Sequence, residues 1–427
     1  MNLIKYCKAL AIVVIAGWAL PCDAQTTTFS LQNCREMALT QNKKVKAAQS
    51  QISAARMASE ATQLNDHPSF DASILGLHVG SPLSKLLPVA SLNGSVSATQ
   101  PIYAGGKIKL GKDASSKAVE ISEGQKVMTE VDVLLAVESA YWQIVQVKEK
   151  VILANKYKEM LLQLRTELKN AVDAGLTYKN DLLRVEVNLN EAELNIAKAN
   201  DGLVLAKFNL AQIIGQPNNT NFNIDDSVAG SFNEIAAQPL DGIAENRPEI
   251  NVLKKAIAIE QIQTQLIQAD MKPQVGLYLS AMSAVGKNAN FTDGGSTLLS
   301  YFGLFNISIP IFDWGKNAKK VKEQELKIQA KQWELEESKE LINLQVQSAW
   351  LQLNQSVKKI DLSAYSIKQA EENLRLANDR YKAGTITGKD VLEAQVIWQQ
   401  AYSNNIDAKV EYKINIANYK KAIGELR

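Results

Sequence analysis

The strongest constraint on this chain is that it is written twice. "QPIYAGGK" (100–107) returns as "IPIFDWGK" (309–316), and "AYWQI" (140–144) returns as "AWLQL" (349–353). "DAGLTYKNDLL" (173–183) matches "KAGTITGKDVL" (382–392), and "AQIIG" (211–215) matches "KKAIG" (420–424). Pro101 and Pro310, Gly175 and Gly384, and Gly215 and Gly424 each lie 209 residues apart; Pro68 and Pro273 lie 205 apart. Two copies of one supersecondary unit follow from this. The difference between the two offsets is assigned to hairpin loops, whose tips accept insertions.

Each copy reads as helix, β-hairpin, very long helix, turn, helix. The first copy covers 25–214, with a helical stretch at 31–64 and strands at about 70–79 and 91–103. Its long helix runs over about 106–171 and its second over about 178–214. A polar linker, 215–240, rich in Asn, Asp and Gly, leads to the second copy at 241–427. That copy places a helix at about 241–271, strands at about 274–284 and 299–312, and helices at about 315–381 and 388–424.

A helix over 106–171 is a rod of roughly 100 Å, far longer than helices of ordinary globular domains. Along 182–213 the residues Leu182, Val185, Leu189, Ala192, Ile196, Ala199, Leu203, Ala206, Leu210 and Ile213 step alternately by three and four. That is a coiled-coil seam. The second copy keeps the register with Val391, Ala394, Trp398, Ala401, Ala408, Tyr412 and Tyr419, interrupted by Asn405 and Asn415.

The strands alternate. In "SLNGSVSATQPIY" (91–103) Leu92, Gly94, Val96 and Ala98 share one face, with Asn93, Ser95, Ser97 and Thr99 on the other. "YFGLFNISIPIF" (301–312) groups Tyr301, Phe305, Ile307, Ile309 and Ile311. Segments about ten residues long with one apolar and one polar face fit a transmembrane barrel; a water-soluble sheet with one buried face is the alternative. Phe70, Tyr103, Tyr278, Phe312 and Trp314 lie mainly near strand ends, as in an interfacial girdle. Two hairpins leave two edges, which lipid does not tolerate, so several chains must share one barrel. Two chains would give 8 strands around a filled interior, and three would give 12 around an open lumen. The fold class is mainly α with a small membrane β part.

Composition removes other classes. The formal net charge is +2, with acids and bases interspersed, so no nucleic-acid partner is expected. Lys5, Lys8 and "ALAIVVIAGWAL" (9–20) read as a secretory signal peptide over 1–24, too short to span a membrane. A rival reading acylates Cys22, but Pro21 is a poor fit to the small residue that such processing requires. Cys34 shares a helical face with Leu31 and Ala38 and reads as buried filler. His67 and His78 have no partners at ligand spacing, so neither a metal site nor a cofactor is expected. There is no P-loop, no Gly-x-Ser-x-Gly and no histidine constellation, so no catalytic residue is assigned.

With these residues in order, together with "FSLQNCREMALTQN" (29–42) and "ENRPEI" (245–250), the chain resembles the TolC family of outer-membrane efflux and export channels. The resemblance covers nearly all of the chain after residue 24. It implies a homotrimer with a 12-stranded barrel in outer-membrane lipid and an α-helical tunnel in the periplasm. Its partners would be an inner-membrane pump and a periplasmic adaptor. By the same resemblance, the turns Ala174-Gly175-Leu176 and Ala383-Gly384-Thr385 meet the adaptor, although helix reversal alone explains the glycines. Asp390, Glu393 and Asp181 match an acidic ring at the periplasmic entrance, while Thr387 and Asp390 also fit a capping box.

Like charges about 10 Å apart repel by only ~0.4 kcal/mol in water and ~1.7 kcal/mol at an effective dielectric of 20. Such a ring would bias ion traffic without gluing the entrance shut. Arg184, which stands where the second copy has Glu393, and Tyr381 are candidates for linking neighbouring helices at the gate. A periplasmic coiled-coil adaptor and a structural envelope protein without a pore are the alternative readings. The cargo is not legible in the sequence.

Overall fold

In the computed structural model the described residues are 27–426, except 86, 225, 241 and 291. The expected signal segment and Cys22 lie outside them. The chain forms two compact units, and three of its four longest helices contribute residues to both. Unit 1 comprises residues up to Ala38, Val137–Ser231 and Leu362–Val410; unit 2 comprises Leu39–Ala136, Phe232–Asp361 and Glu411 onward.

The elements in order are β1 (Thr27–Thr28), α1 (Leu31–Gln41), α2 (Lys43–Gln63), β2 (Ser69–His78), β3 (Ala90–Ala104), α3 (Lys107–Asp173) and α4 (Lys179–Ile213). There follow β4 (Phe222–Asn223), α5 (Pro248–Ala269), β5 (Gln274–Gly286), β6 (Thr297–Ser308), α6 (Lys316–Lys382) and α7 (Gly388–Ala422). Helices α3 and α6 have 67 residues each, and α4 and α7 have 35 each, so the repeat seen in the sequence is a repeat of elements.

In unit 2 the strands form one antiparallel sheet in the order β2-β3-β5-β6. The helices follow the same order. Arg56 of α2 pairs with Glu123 of α3, Lys255 of α5 with Glu120 of α3, and Gln324 of α6 with Glu260 of α5. Close approach is needed between α3 and α5: a Cβ on Gly124 would stand 2.5 Å from a Val252 methyl.

The core of unit 1 lies where α3, α4, α6 and α7 meet, with Tyr157, Leu161, Leu164, Leu168, Val185, Leu189 and Val391 in one cluster. All ten seam residues of α4 are buried or half-buried. In α7, Asn405 and Asn415 do not break the seam. Both are buried: Asn405 donates to the Ser363 hydroxyl at 2.9 Å and Asn415 to the Gln352 carbonyl at 3.3 Å.

Five local expectations need correction. The helical stretch 31–64 is two helices, because the Asn42 side chain accepts from the Lys44 N–H at 2.8 Å and starts α2 afresh. The strand expected at 299–312 covers 297–308. Its partner β5 begins at Gln274, opposite Ser308, so nothing pairs residues 309–312, and Pro310 has no N–H to offer. The loops 79–89 and 287–296 are nearly equal, so the shorter offset is not a loop insertion; β5 has 13 residues against 10 in β2. Tyr278 lies mid-strand on the polar face, opposite Thr99 and Leu304, rather than in a girdle.

Finally, 215–240 is more than a polar linker. In unit 1, Phe222 and Ile224 are buried, β4 pairs with β1, Phe29 packs on Phe222 at 5.0 Å between ring centroids, and Tyr141 donates to the Asp226 carboxylate. In unit 2, Asn354 accepts from the Ile235 N–H and donates to its carbonyl, both at 3.0 Å.

Candidate functional site

Cross-strand register decides what the sheet can do. Side chains directly opposite one another share a face, so each row of four has a single side. One set of rows reads Gly76–Leu92–Val285–Thr297, Ile74–Gly94–Ser283–Leu299, Ala72–Val96–Ala281–Tyr301 and Phe70–Ala98–Leu279–Gly303. The alternate rows read Leu75–Asn93–Ala284–Leu298, Ser73–Ser95–Met282–Ser300, Asp71–Ser97–Ser280–Phe302 and Ser69–Thr99–Tyr278–Leu304. The first face is almost wholly apolar and stands exposed: Phe70 is 73% exposed, Ile74 77% and Tyr301 86%. The second is mixed: eight of its sixteen residues carry hydroxyls, Asp71 and Asn93 add two more polar groups, and the other six are apolar, three of them on β6.

A bulge sharpens the division. Pro101 pairs with Gly276, but Tyr103 rather than Ile102 pairs with Val275. The extra residue turns Tyr103 onto the apolar face, at the helix-proximal end of β3. Phe312 and Trp314, an edge-to-face pair with centroids 4.9 Å apart, follow β6 at its helix-proximal end. Both outer strands, β2 and β6, have one edge without a strand partner among the described residues. Exposed apolar surface of this extent on one face of a sheet calls for lipid or protein against it.

The second candidate region, in unit 1, is the pair of helix reversals. After α3 the Leu176 N–H donates to the Ala171 carbonyl at 2.8 Å and Gly175 donates to Val172 at 3.0 Å. After α6, Thr385 donates to Arg380 and Gly384 to Tyr381, both at 2.9 Å. Gly175 has φ +74° and Gly384 has φ +69°, left-handed values that other residues adopt only at a cost. Both ends are therefore Schellman stops, 209 residues apart. Ala174, Gly175, Leu176, Ala383, Gly384 and Thr385 are all exposed, as is Tyr178, which the sequence reading passed over.

The structure brings Asp390 and Thr387 together. The Asp390 carboxylate accepts from the Thr387 N–H and from its hydroxyl, both at 2.9 Å, so the acid caps α7. Those two bonds hold its carboxyl below the usual range. Glu393 is exposed one turn further on, Asp181 is half-buried in the first turn of α4, and Arg184 is exposed. Among the described residues Arg184 has no ion-pair partner. Tyr381 packs against the Leu161 cluster; burial, then the nearby charges of Glu167 and Asp181, push its phenol up. Cys34 is fully buried and its thiol is pushed up to about 12 by that burial.

Comparison with known proteins assigns the family. The family profile described as "Outer membrane efflux protein" matches residues 34–216 and 240–425, one stretch in each copy of the repeat. The chain belongs to the outer membrane efflux protein family. Among its relatives, the outer membrane protein TolC of Salmonella enteritidis is 22% identical over 344 residues, 78% of this chain and 69% of TolC. The alkaline protease secretion protein AprF of Pseudomonas aeruginosa is 22% identical over 293 residues, 66% of this chain and 59% of AprF.

The fold matches solved structures more fully. CusC superposes with a TM-score of 0.79 at 15% identity, covering 93% of this chain and 92% of that one. The open-state MtrE outer membrane channel of Neisseria gonorrhoeae superposes with a TM-score of 0.76 at 21% identity, covering 93% and 89%. As an outer membrane efflux protein the chain resides in the outer membrane and has the TolC-type channel fold. The exposed apolar face of its sheet has its physical reason there.

Proposed function

We propose that three copies of this outer membrane efflux protein close one 12-stranded barrel and continue it as a helical tunnel. Through that tunnel they conduct exported solutes received from an inner-membrane pump and a periplasmic adaptor. The observation that carries this reading is the sheet: polar on one face, apolar on the other, with two unpaired edges. Its strands alternate in direction and are even in number, so β6 of one copy meets β2 of the next in the antiparallel sense. Four strands cannot close alone, eight leave no open bore, and twelve do.

The helices support the same assembly. The seam of α4 is buried within the protomer, and on its opposite side Leu183, Val187, Leu194, Leu205 and Phe208 form a second apolar stripe that is exposed. A helix with two opposed apolar stripes fits a closed wall, with a neighbour on either side. Leu176 at 81% and Tyr178 at 86% exposure give the first reversal an apolar tip, suited to a protein partner such as an adaptor. Asp181, Asp390 and Glu393, repeated by three copies, would line the entrance with carboxylates. Arg184, without an ion-pair partner among the described residues, would find its carboxylate on a neighbouring helix, with Tyr381 beside it.

Two measurements test the reading. The purified protein should form discrete pores in planar bilayers and crosslink as a trimer in detergent. A mature chain that stays soluble and monomeric without detergent overturns it, and so does an assembly without conductance. Cysteines at Ala174 and Ala383, crosslinked in live cells, should capture an adaptor.

A further inference from the structure

The four strands of the sheet hold one acidic side chain and neither lysine nor arginine. Across β2, β3, β5 and β6, Asp71 is the only Asp, Glu, Lys or Arg. The register sets it on the polar face, opposite Ser97, in the row that continues through Ser280 to Phe302. On either side along the same face of β2 are Ser69 and Ser73, and the Ser73 hydroxyl lies 2.8 Å from that of Ser95. Asp71 is exposed. Two of the three lysines at the start of α3 are engaged elsewhere: Lys107 pairs with Asp270 and Lys112 with Asp66.

We infer that Asp71 sets the charge preference of the barrel lumen, so that the helix-proximal end of the barrel favours cationic and neutral solutes over anions. The inference rests on the barrel reading above, which makes the polar face a water-lined wall. Hydroxyls and amides are neutral dipoles that solvate ions of either sign, so on such a wall the one fixed charge decides the sign of the potential. Three copies would place three carboxylates around a single level of the lumen. Twelve tilted strands spaced about 4.8 Å apart enclose a radius of roughly 12 Å, so each side chain comes within about 10 Å of the axis. That equals the screening length at about 0.1 M salt, so the field reaches the axis at low ionic strength and fades at high. An anionic cargo would cross this level against the field.

The test reads the potential beside Asp71 directly and does not depend on the state of the helical entrance. Ser97→Cys places a thiol across from Asp71, and the native Cys34, being fully buried, stays silent. The trimer is reconstituted in liposomes and treated from the outside with methanethiosulfonates carrying either a trimethylammonium or a sulfonate group. The ratio of the cationic to the anionic rate is compared with that of the Ser97→Cys, Asp71→Asn protein. At about 20 mM salt the ratio should fall by roughly fivefold on Asp71→Asn, with a smaller fall at about 0.5 M. Ser95→Cys, one row along the same face, is the second reporter if Ser97→Cys fails to assemble.

Modification by both reagents with a ratio indifferent to residue 71 overturns the inference and leaves the barrel reading standing. Modification by neither reagent at either position means that the polar face does not line water, and both readings then fall.

Discussion

Arg247, in the "ENRPEI" stretch, offers a prediction whose size can be worked from its contacts. Its side chain is only 5% exposed. Nη1 donates to the carbonyls of Lys421 and Ala422, each at 2.8 Å, while Nε and Nη2 donate to Glu249 at 3.0 and 2.6 Å. One guanidinium therefore caps the C-terminus of α7 and neutralises the acid in the first turn of α5. Arg247→Ala removes two charge-assisted bonds to carbonyls, each worth about 1.5–3 kcal/mol, and strands a half-buried carboxylate. Removing one partner of such a pair costs about 3–5 kcal/mol, so a loss on the order of 4 kcal/mol is expected. In a chain of this size that is a fall of roughly 5 °C in apparent melting temperature by scanning fluorimetry in detergent.

The pH dependence supplies a second reading of the same change. Burial pulls the Glu249 carboxyl upward, but the Arg247 bonds and charge outweigh it and leave the group below its ordinary value. A depressed carboxylate contributes stability above its unfolded pKa, and that contribution is lost as pH falls through the folded value. The wild type should therefore lose stability on acidification through the carboxylate range. In Arg247→Ala the backbone N–H of Glu249 and the Lys421 charge still oppose burial, but the Arg247 contribution is gone, so this part of the slope should flatten. Glu249→Gln, which leaves the carbonyl bonds intact, should cost about 1 kcal/mol. An Arg247→Ala protein that melts within a degree of wild type, with an unchanged pH profile, refutes the reasoning.

Other outcomes follow from single contacts. Gly175→Ala and Gly384→Ala should each cost about 1–2 kcal/mol through the left-handed backbone alone, since a Cβ at either meets open space; equal loss at both by thermal unfolding checks this. Asp390→Ala should speed amide exchange in the first turn of α7. In the wild type the same opening should grow as pH falls through the carboxylate range, because the folded carboxyl is depressed. Cys34 should react with maleimide only after denaturation; labelling of the native protein would contradict its burial.

The features legible in the sequence are those specified locally. The three-four spacing that marks α4 and α7 is local, and a Schellman stop needs one glycine at one place, so those helices and the ends of α3 and α6 were readable. The strand faces were readable because the period of two is local as well. What escaped depends on residues far away. Where β6 ends is set by where β5 begins, 34 residues from its own terminus. The face of Tyr103 is set by a bulge that the partner strand defines, although Pro101 inside a strand was a usable hint. Phe222 became a core residue only because Phe29 and β1 reach it across the chain. At the tips, the capping role of Asp390 was visible as Thr387-x-x-Asp390. The isolation of Arg184 was not, since a charge on a helix face carries no mark of whether a neighbour will answer it.

The matched order of strands and helices in unit 2 has a genetic corollary. A copy carrying a damaged edge, such as proline in the middle of β6, would still offer its intact β2 side and so be recruited alongside healthy copies. In the proposed trimer, cells making both forms equally would keep only about one assembly in eight free of the defect, so such alleles should behave as dominant. Lesions that prevent the chain from reaching assembly at all should instead be recessive.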